Sequence, residues 1–246
     1  MAFPVILTQA DNTGGKMKTI GLIGGMSWES TETYYSIINS EVNRRLGQNH
    51  SAKCILYSVD FQEIEALQYS GDWAALERLM LDAGESLKRA GAEFLVVCTN
   101  TMHKVVGKME EEVGVPLLHI GDAVGEAVRK DGKKTVGLLG TIFTMEEDFY
   151  RARLEEKFGL TVLVPDRADM DSINTIIFKE LVKGIITESS RGKYVAAMEK
   201  MRKRGAEGII LGCTEIGSLI TKYELPLYDS TILHAKKAAE YSISMA

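Results

Sequence analysis

The chain carries a near-copy of one of its own segments. Gly91-Ala92-Glu93-Phe94-Leu95-Val96-Val97-Cys98-Thr99-Asn100 and Gly205-Ala206-Glu207-Gly208-Ile209-Ile210-Leu211-Gly212-Cys213-Thr214 share a helix-ending Gly-Ala-Glu, an apolar run of strand length and a polar tip. A second pair lies upstream of each: Lys18-Thr19-Ile20-Gly21-Leu22-Ile23-Gly24 and Lys134-Thr135-Val136-Gly137-Leu138-Leu139-Gly140. The offsets, 114 and 116 residues, agree to within a short loop insertion. A duplicated unit of this kind implies two homologous lobes. At the offset of 114, Thr99, and not Cys98, falls on Cys213.

Between the repeats, short apolar runs alternate with stretches of helical spacing. Strands are expected over 19–23, 52–59, 94–97, 116–120, 134–140, 161–165, 209–211 and 225–228. Helices are expected over 27–46, 73–90, 102–112, 122–130, 145–158, 171–183, 189–204 and 232–244. Little hairpin chemistry separates the strands, which argues for parallel sheets covered on both faces. The expected fold is α/β: two homologous parallel-sheet lobes related by pseudo-twofold symmetry, with the active site in the cleft between them. The first lobe is expected over 17–114, completed by 223–246, and the second over 115–222. Residues 1–16 read as an extension outside the fold, a tag or linker or else a short authentic tail.

Composition excludes several classes. The net charge of −5 and the lack of a long basic cluster give no reason to expect nucleic acid. No apolar stretch approaches the ~18 residues that cross a bilayer. Three widely spaced cysteines, Cys54, Cys98 and Cys213, make no disulfide framework and suit a reducing, cytoplasmic setting. The Cys and His spacing shows no zinc pattern, so no metal is expected. Gly24-Gly25-Met26-Ser27-Trp28 lacks the Gly-x-Gly-x-x-Gly and P-loop signatures, and its role is to let backbone line the cleft.

Ligands of open parallel sheets sit beyond the carboxyl ends of strands, where both polar tips lie. Cys213, between Gly212 and Thr214, is the candidate nucleophile or base, and a helix start after it is expected to lower the thiol pKa. Thr99 occupies the matching position in the other lobe. Cys98 points to the opposite face of its strand, because adjacent strand residues alternate, and is expected to pack. Asn100, Thr101 and Thr214 offer donors for a carboxylate or enolate oxygen. His103 is open between a proton donor and a residue that orients the loop. Cys54 is expected in the core.

Thr19–Gly25, Cys98-Thr99-Asn100-Thr101-Met102-His103 and Leu211-Gly212-Cys213-Thr214-Glu215 together resemble the aspartate/glutamate racemase family. Gly24-Gly25-Met26-Ser27-Trp28-Glu29-Ser30-Thr31, Ser58-Val59-Asp60-Phe61 and Gly140-Thr141-Ile142-Phe143-Thr144-Met145-Glu146 strengthen it, and the likeness covers nearly all of 17–246. The resemblance implies a cofactor-independent amino-acid racemase, usually a homodimer, with one cysteine of each lobe on opposite faces of the substrate α-carbon. In the family the first-lobe cysteine directly precedes Asn-Thr, and here that residue is Thr99. The departure resembles a subgroup with one catalytic cysteine and an L-enantiomer preference. By the same likeness Met26, Gln68 and Thr141 join Asn100, Thr101 and Thr214 around a small amino-acid substrate, with Gln68 where other aspartate racemases carry arginine. Lys183 lies one residue from the place of a family lysine and is assigned no role. Related enolate chemistry of the hydantoin racemase or malonate decarboxylase type, and a non-catalytic amino-acid-binding protein, are the alternatives.

Overall fold

The computed structural model describes residues 16–244, and of the extension read over residues 1–16 only Lys16 falls within them. The first sheet holds β1 (Ile20–Gly24), β2 (Cys54–Ser58), β3 (Phe94–Val97) and β4 (Leu117–Leu118), in the order β2-β1-β3-β4. The second holds β5 (Thr135–Gly140), β6 (Thr161–Leu163), β7 (Ile209–Gly212) and β8 (Leu227–Asp229), in the order β6-β5-β7-β8. Every pairing is parallel, and the second order repeats the first strand for strand.

The helices in chain order are α1 (Trp28–Leu46), α2 (Phe61–Ser70), α3 (Trp73–Arg89), α4 (Met109–Val113), α5 (Ile120–Lys130) and α6 (Ile142–Glu146). They continue with α7 (Asp148–Phe158), α8 (Arg167–Lys179), α9 (Glu188–Lys203), α10 (Ile216–Leu219) and α11 (Ser230–Ile243). None of those described is long and apolar enough to cross a membrane.

The shared Gly-Ala-Glu has one mechanical explanation in both lobes. Gly91 and Gly205 each follow a helix with φ of 101°, a left-handed conformation that side-chain-bearing residues avoid. The next alanine is buried, and the glutamate pins the neighbouring strand. The Glu93 carboxylate accepts the Thr19 N–H at 2.8 Å, and Glu207 accepts those of Lys134 and Thr135 at 2.8 and 3.0 Å. The repeat therefore encodes the hand-over from α3 to β3 and from α9 to β7.

The central strands of each sheet are buried on both faces, while the edge strand β2 is partly exposed. In the first lobe Ile23, Leu95 and Val97 pack with α3, while Leu22, Val96 and Cys98 pack on the other side with α1 and α11. The lobe boundaries differ from the expected 114/115 and 222/223. Leu117–Leu118 pairs with β3, so the first sheet extends beyond residue 114, and Leu227–Asp229 pairs with β7, so the second sheet extends beyond 222. Only α11 of the last segment packs in the first lobe, through Ala235, Ala238 and Ala239.

Three helix expectations also change, the first being 171–183, which divides into α8, ending at Lys179, and a 3₁₀ turn at Leu181–Lys183. The single helix over 102–112 is a 3₁₀ turn at Thr101–Val105 followed by α4, because the Thr101–Val105 backbone is drawn into the site. Residues 145–158 divide into α6 and α7, broken at Glu147 in extended conformation. Helix α2 was unforeseen, although Asp60 caps it by accepting the Gln62 N–H at 3.0 Å.

Candidate active site

One cavity between the lobes gathers the carboxyl ends of β1, β3, β5 and β7 with α2 and α8. Its walls include all eight residues expected there: Met26, Gln68, Thr99, Asn100, Thr101, Thr141, Cys213 and Thr214. Glu215, Phe61, Ile177, Phe178 and Val182 complete most of the remainder, and among the described residues no lysine or arginine lines it. Lys183 is exposed and outside the wall. The packing of Tyr69 on Phe178, with centroids 5.8 Å apart, joins α2 to α8.

Backbone geometry opens this space at β1. Gly25 has φ of 91°, and a Cβ there would lie 2.3 Å from the Val59 carbonyl oxygen, so only glycine lets the chain turn beside β2. Its N–H donates to the Thr31 hydroxyl at 2.8 Å. Met26 and Ser27 are thereby placed at the cleft.

Cys98 and Thr99 separate as strand alternation requires. Cys98 is fully buried among the residues under α1 and α11 and touches no cavity. Cys54 is half-buried at the edge of the same cluster. Thr99 and Cys213 both line the cleft, from equivalent strand tips of different lobes.

Two buried histidines, His103 and His234, and the partly buried His119 lie behind the Thr99 tip. His103 donates from Nδ1 to the Thr99 carbonyl at 2.8 Å and accepts the Ile120 N–H on Nε2 at 3.2 Å. Both nitrogens are engaged, so the open choice for His103 falls to orientation. His234 donates to the Leu118 carbonyl at 2.8 Å and accepts from the Tyr34 hydroxyl at 2.9 Å. The His103 ring stands 4.5 Å from that of His119 and 5.8 Å from that of His234. Burial, then mutual repulsion, holds His103 well below the usual imidazole range. Burial also brings His119 to about 2 and His234 to about 4. The cluster is neutral.

Asn100 is oriented by a hydrogen-bond chain. Ser230 spends its hydroxyl proton on the Leu211 carbonyl at 2.8 Å, so its oxygen accepts from Asn100 Nδ2 at 3.0 Å. That leaves Asn100 Oδ1 buried without a partner. Asn100 thus keeps an unpartnered acceptor, Oδ1, beside the donor capacity expected of it. Thr101 and Thr141 join the lobes through their hydroxyls at 3.1 Å, and Gln68 donates to Met102 Sδ at 3.3 Å.

The Cys213 tip is built differently. Its thiol donates to Glu215 Oε2 at 2.9 Å, and Thr214 donates to the same oxygen at 2.7 Å. Ser27 and Ser30, from the first lobe, reach Oε1 at 3.0 and 2.8 Å. Burial, then the Glu215 charge and hydrogen bond, push the Cys213 thiol well up, against the smaller pull of backbone contacts at Thr214 and Glu215. This overturns the expectation of a lowered thiol pKa. Glu215 was not foreseen as a site residue. Its signal was present in the triplet Cys213-Thr214-Glu215, where a carboxylate two residues on can fold back to the thiol.

A fold of two matched α/β lobes closing on one thiol defines a class of protein. The family profile described as Asp/Glu/Hydantoin racemase matches residues 23–238, and the chain belongs to that family. A Yersinia pestis crystal structure, provisionally described as an Asp/Glu racemase, is similar at 52% identity and a TM-score of 0.87, over 93% of this chain and all of that one. The broad specificity amino-acid racemase RacX of Bacillus subtilis is 22% identical over 88% of this chain and 95% of its own. Glutamate racemase of Aquifex pyrophilus is 26% identical over 68% of this chain, and the match spans 63% of that enzyme's length.

Proposed function

We propose that the protein is a pyridoxal-phosphate-independent amino-acid racemase in which Cys213 is the proton-transferring base. The observation that carries this reading is a single thiol lining a closed cleft from one strand tip, with a hydroxyl, Thr99, at the equivalent tip. As thiolate, Cys213 takes the α-proton, and the electron pair of the broken C–H bond passes into the carboxylate to give an enediolate. Hydrogen-bond donors that strengthen on the enediolate lower the barrier, and Thr214 with its neighbouring backbone N–H groups is suited to that role. The unpartnered Oδ1 of Asn100 suits the substrate ammonium.

Proton return from the opposite face gives the other enantiomer. Thr99 is a far weaker acid than a thiol, so its face returns protons slowly, directly or through a held water. By the likeness to the L-preferring subgroup, Cys213 faces the α-proton of the L-enantiomer, which is then exchanged faster than that of the D-enantiomer, although both directions run. Aspartate and glutamate are the substrates the family suggests. Among the described residues the cleft wall holds no cation for their second carboxylate, so amino acids with neutral side chains belong in the same test.

The test is deuterium wash-in from deuterium oxide across a panel of L- and D-amino acids. Exchange that is faster for L than for D, and lost in Cys213→Ser, is expected. Equal wash-in from both enantiomers removes the one-base mechanism. Binding of amino acids with no exchange for any of them would make the chain a binding protein.

A further inference from the structure

Glu215 lies where three features meet. Its carboxylate receives the thiol and the Thr214 hydroxyl on one oxygen and the first-lobe hydroxyls of Ser27 and Ser30 on the other. It also forms part of the common wall between two spaces. The inner cavity beside Thr99 and Cys213 is about 30 Å³, room for a water or two. An outer pocket of about 220 Å³ opens on its far side, over Ser27, Ser30 and Ser218. Thr214 and Val182 share that wall. The outer space is the roomier of the two.

We infer that Glu215 is a positioning residue that acts through Cys213: clasped by Ser27 and Ser30, its carboxylate holds the thiol at the wall of the inner cavity. The inference rests on the reading of Cys213 as the base. The titratable groups facing Cys213 are Glu215 and, from α9, Tyr194; the described wall holds no cation to offset the carboxylate. An anion beside a thiol disfavours the thiolate. The consequence suits the chemistry. The empty enzyme keeps its thiol protonated and protected, while a thiolate formed against a high pKa is a stronger base toward a weakly acidic α-proton.

The test is the pH dependence of iodoacetamide alkylation at Cys213, read by peptide mass, with buried Cys98 as the reporter of an intact fold. Glu215→Gln keeps the shape and removes the charge. Its alkylation midpoint is expected about one unit or more below that of the wild type, giving about threefold or more faster alkylation at pH 7.5 once the lower nucleophilicity of the more acidic thiol is allowed for. The pH rise of α-proton exchange should move by the same amount, to a lower plateau. Glu215→Asp keeps the charge but shortens its reach, and its midpoint should lie between the two.

A Glu215→Gln midpoint at or above that of the wild type, with Cys98 still protected, overturns the inference. If Cys98 becomes reactive in that variant, Glu215→Asp decides: a lowered midpoint supports the role and an unmoved one ends it. A wild-type chain that exchanges no α-proton defeats the racemase reading and leaves the alkylation result standing. An unmoved midpoint in an exchanging enzyme defeats only the role of Glu215.

Discussion

Behind Thr99 stand three neutral imidazoles, two of them buried and hydrogen-bonded at both nitrogens; behind Cys213 stands a carboxylate held by hydroxyls from both lobes. The strands that carry these tips have the same neighbours in the same order. The duplicated scaffold therefore fixes where each tip goes, and the layer beneath decides what each tip can do. Neutral imidazoles locked by backbone groups make the first tip rigid without giving it a proton to move. The carboxylate makes the second tip responsive to charge. A mirrored frame thus holds an unequal pair, and the inequality can be tested from either side.

The largest expected effect is at the thiol. Cys213→Ser should lower α-proton exchange by about 10³-fold, within the range for removal of a general base, while Cys98→Ser leaves it within about twofold. Loss of exchange in Cys98→Ser with survival in Cys213→Ser would exchange the roles of the two strand faces. Thr99→Cys tests the same contrast from the other side. It supplies a second thiol, and exchange from the D-enantiomer should rise about tenfold, with the L-enantiomer changed less. A D-substrate rate that does not move would show that the first tip is inert for reasons beyond its hydroxyl.

The histidine layer predicts a stability difference. In the unfolded chain these imidazoles protonate near 6.5, whereas in the folded chain His234 does so at about 4 and His119 at about 2. The unfolded chain therefore takes up protons that the folded one refuses. Their contribution is complete above about pH 6.5 and falls as the pH drops toward the folded values. His234 alone accounts for roughly 3 kcal/mol lost by pH 4. Urea midpoints at pH 7.5, 6 and 5 should fall with acid, and His234→Gln should flatten that fall while lowering stability at pH 7.5. An equally steep fall in the variant would mean that other groups carry the acid sensitivity.

The repeat made the fold legible because each shared residue has a backbone duty: the glycine leaves the helix, the alanine packs and the glutamate pins the strand. The register of the same repeat separated Thr99 from Cys98, and the alternation of β3 bears out that separation. Lobe boundaries were less legible. β4 and β8 contribute only two and three residues to their sheets, too few to reveal by pattern which lobe they join. The electrostatics of the thiol were not legible at all. A helix start can be read from local sequence, but the charge of Glu215 and its clasp by Ser27 and Ser30, some 185 residues away, depend on how the lobes close. The imidazole layer was hidden for the same reason, since His103, His119 and His234 come from three separate segments.

The smallest effect probes the symmetry of the frame itself. Glu93 and Glu207 occupy equivalent places, and backbone hydrogen bonds, the first cause in each, hold both carboxyls below their usual range. Glu207 accepts two backbone N–H groups, while Glu93 accepts one and gains an exposed contact with Lys16 at 3.6 Å. Exposed ion pairs contribute little and weaken with salt, whereas the backbone bonds fix a strand. Glu207→Ala should therefore lower the melting temperature more than Glu93→Ala, by a small margin that persists in about 0.5 M salt, where the Debye length is only about 4 Å. Equal losses would mean that the second backbone bond adds nothing to the pin. A larger loss at Glu93 would show that the first lobe, not the second, limits the stability of the pair.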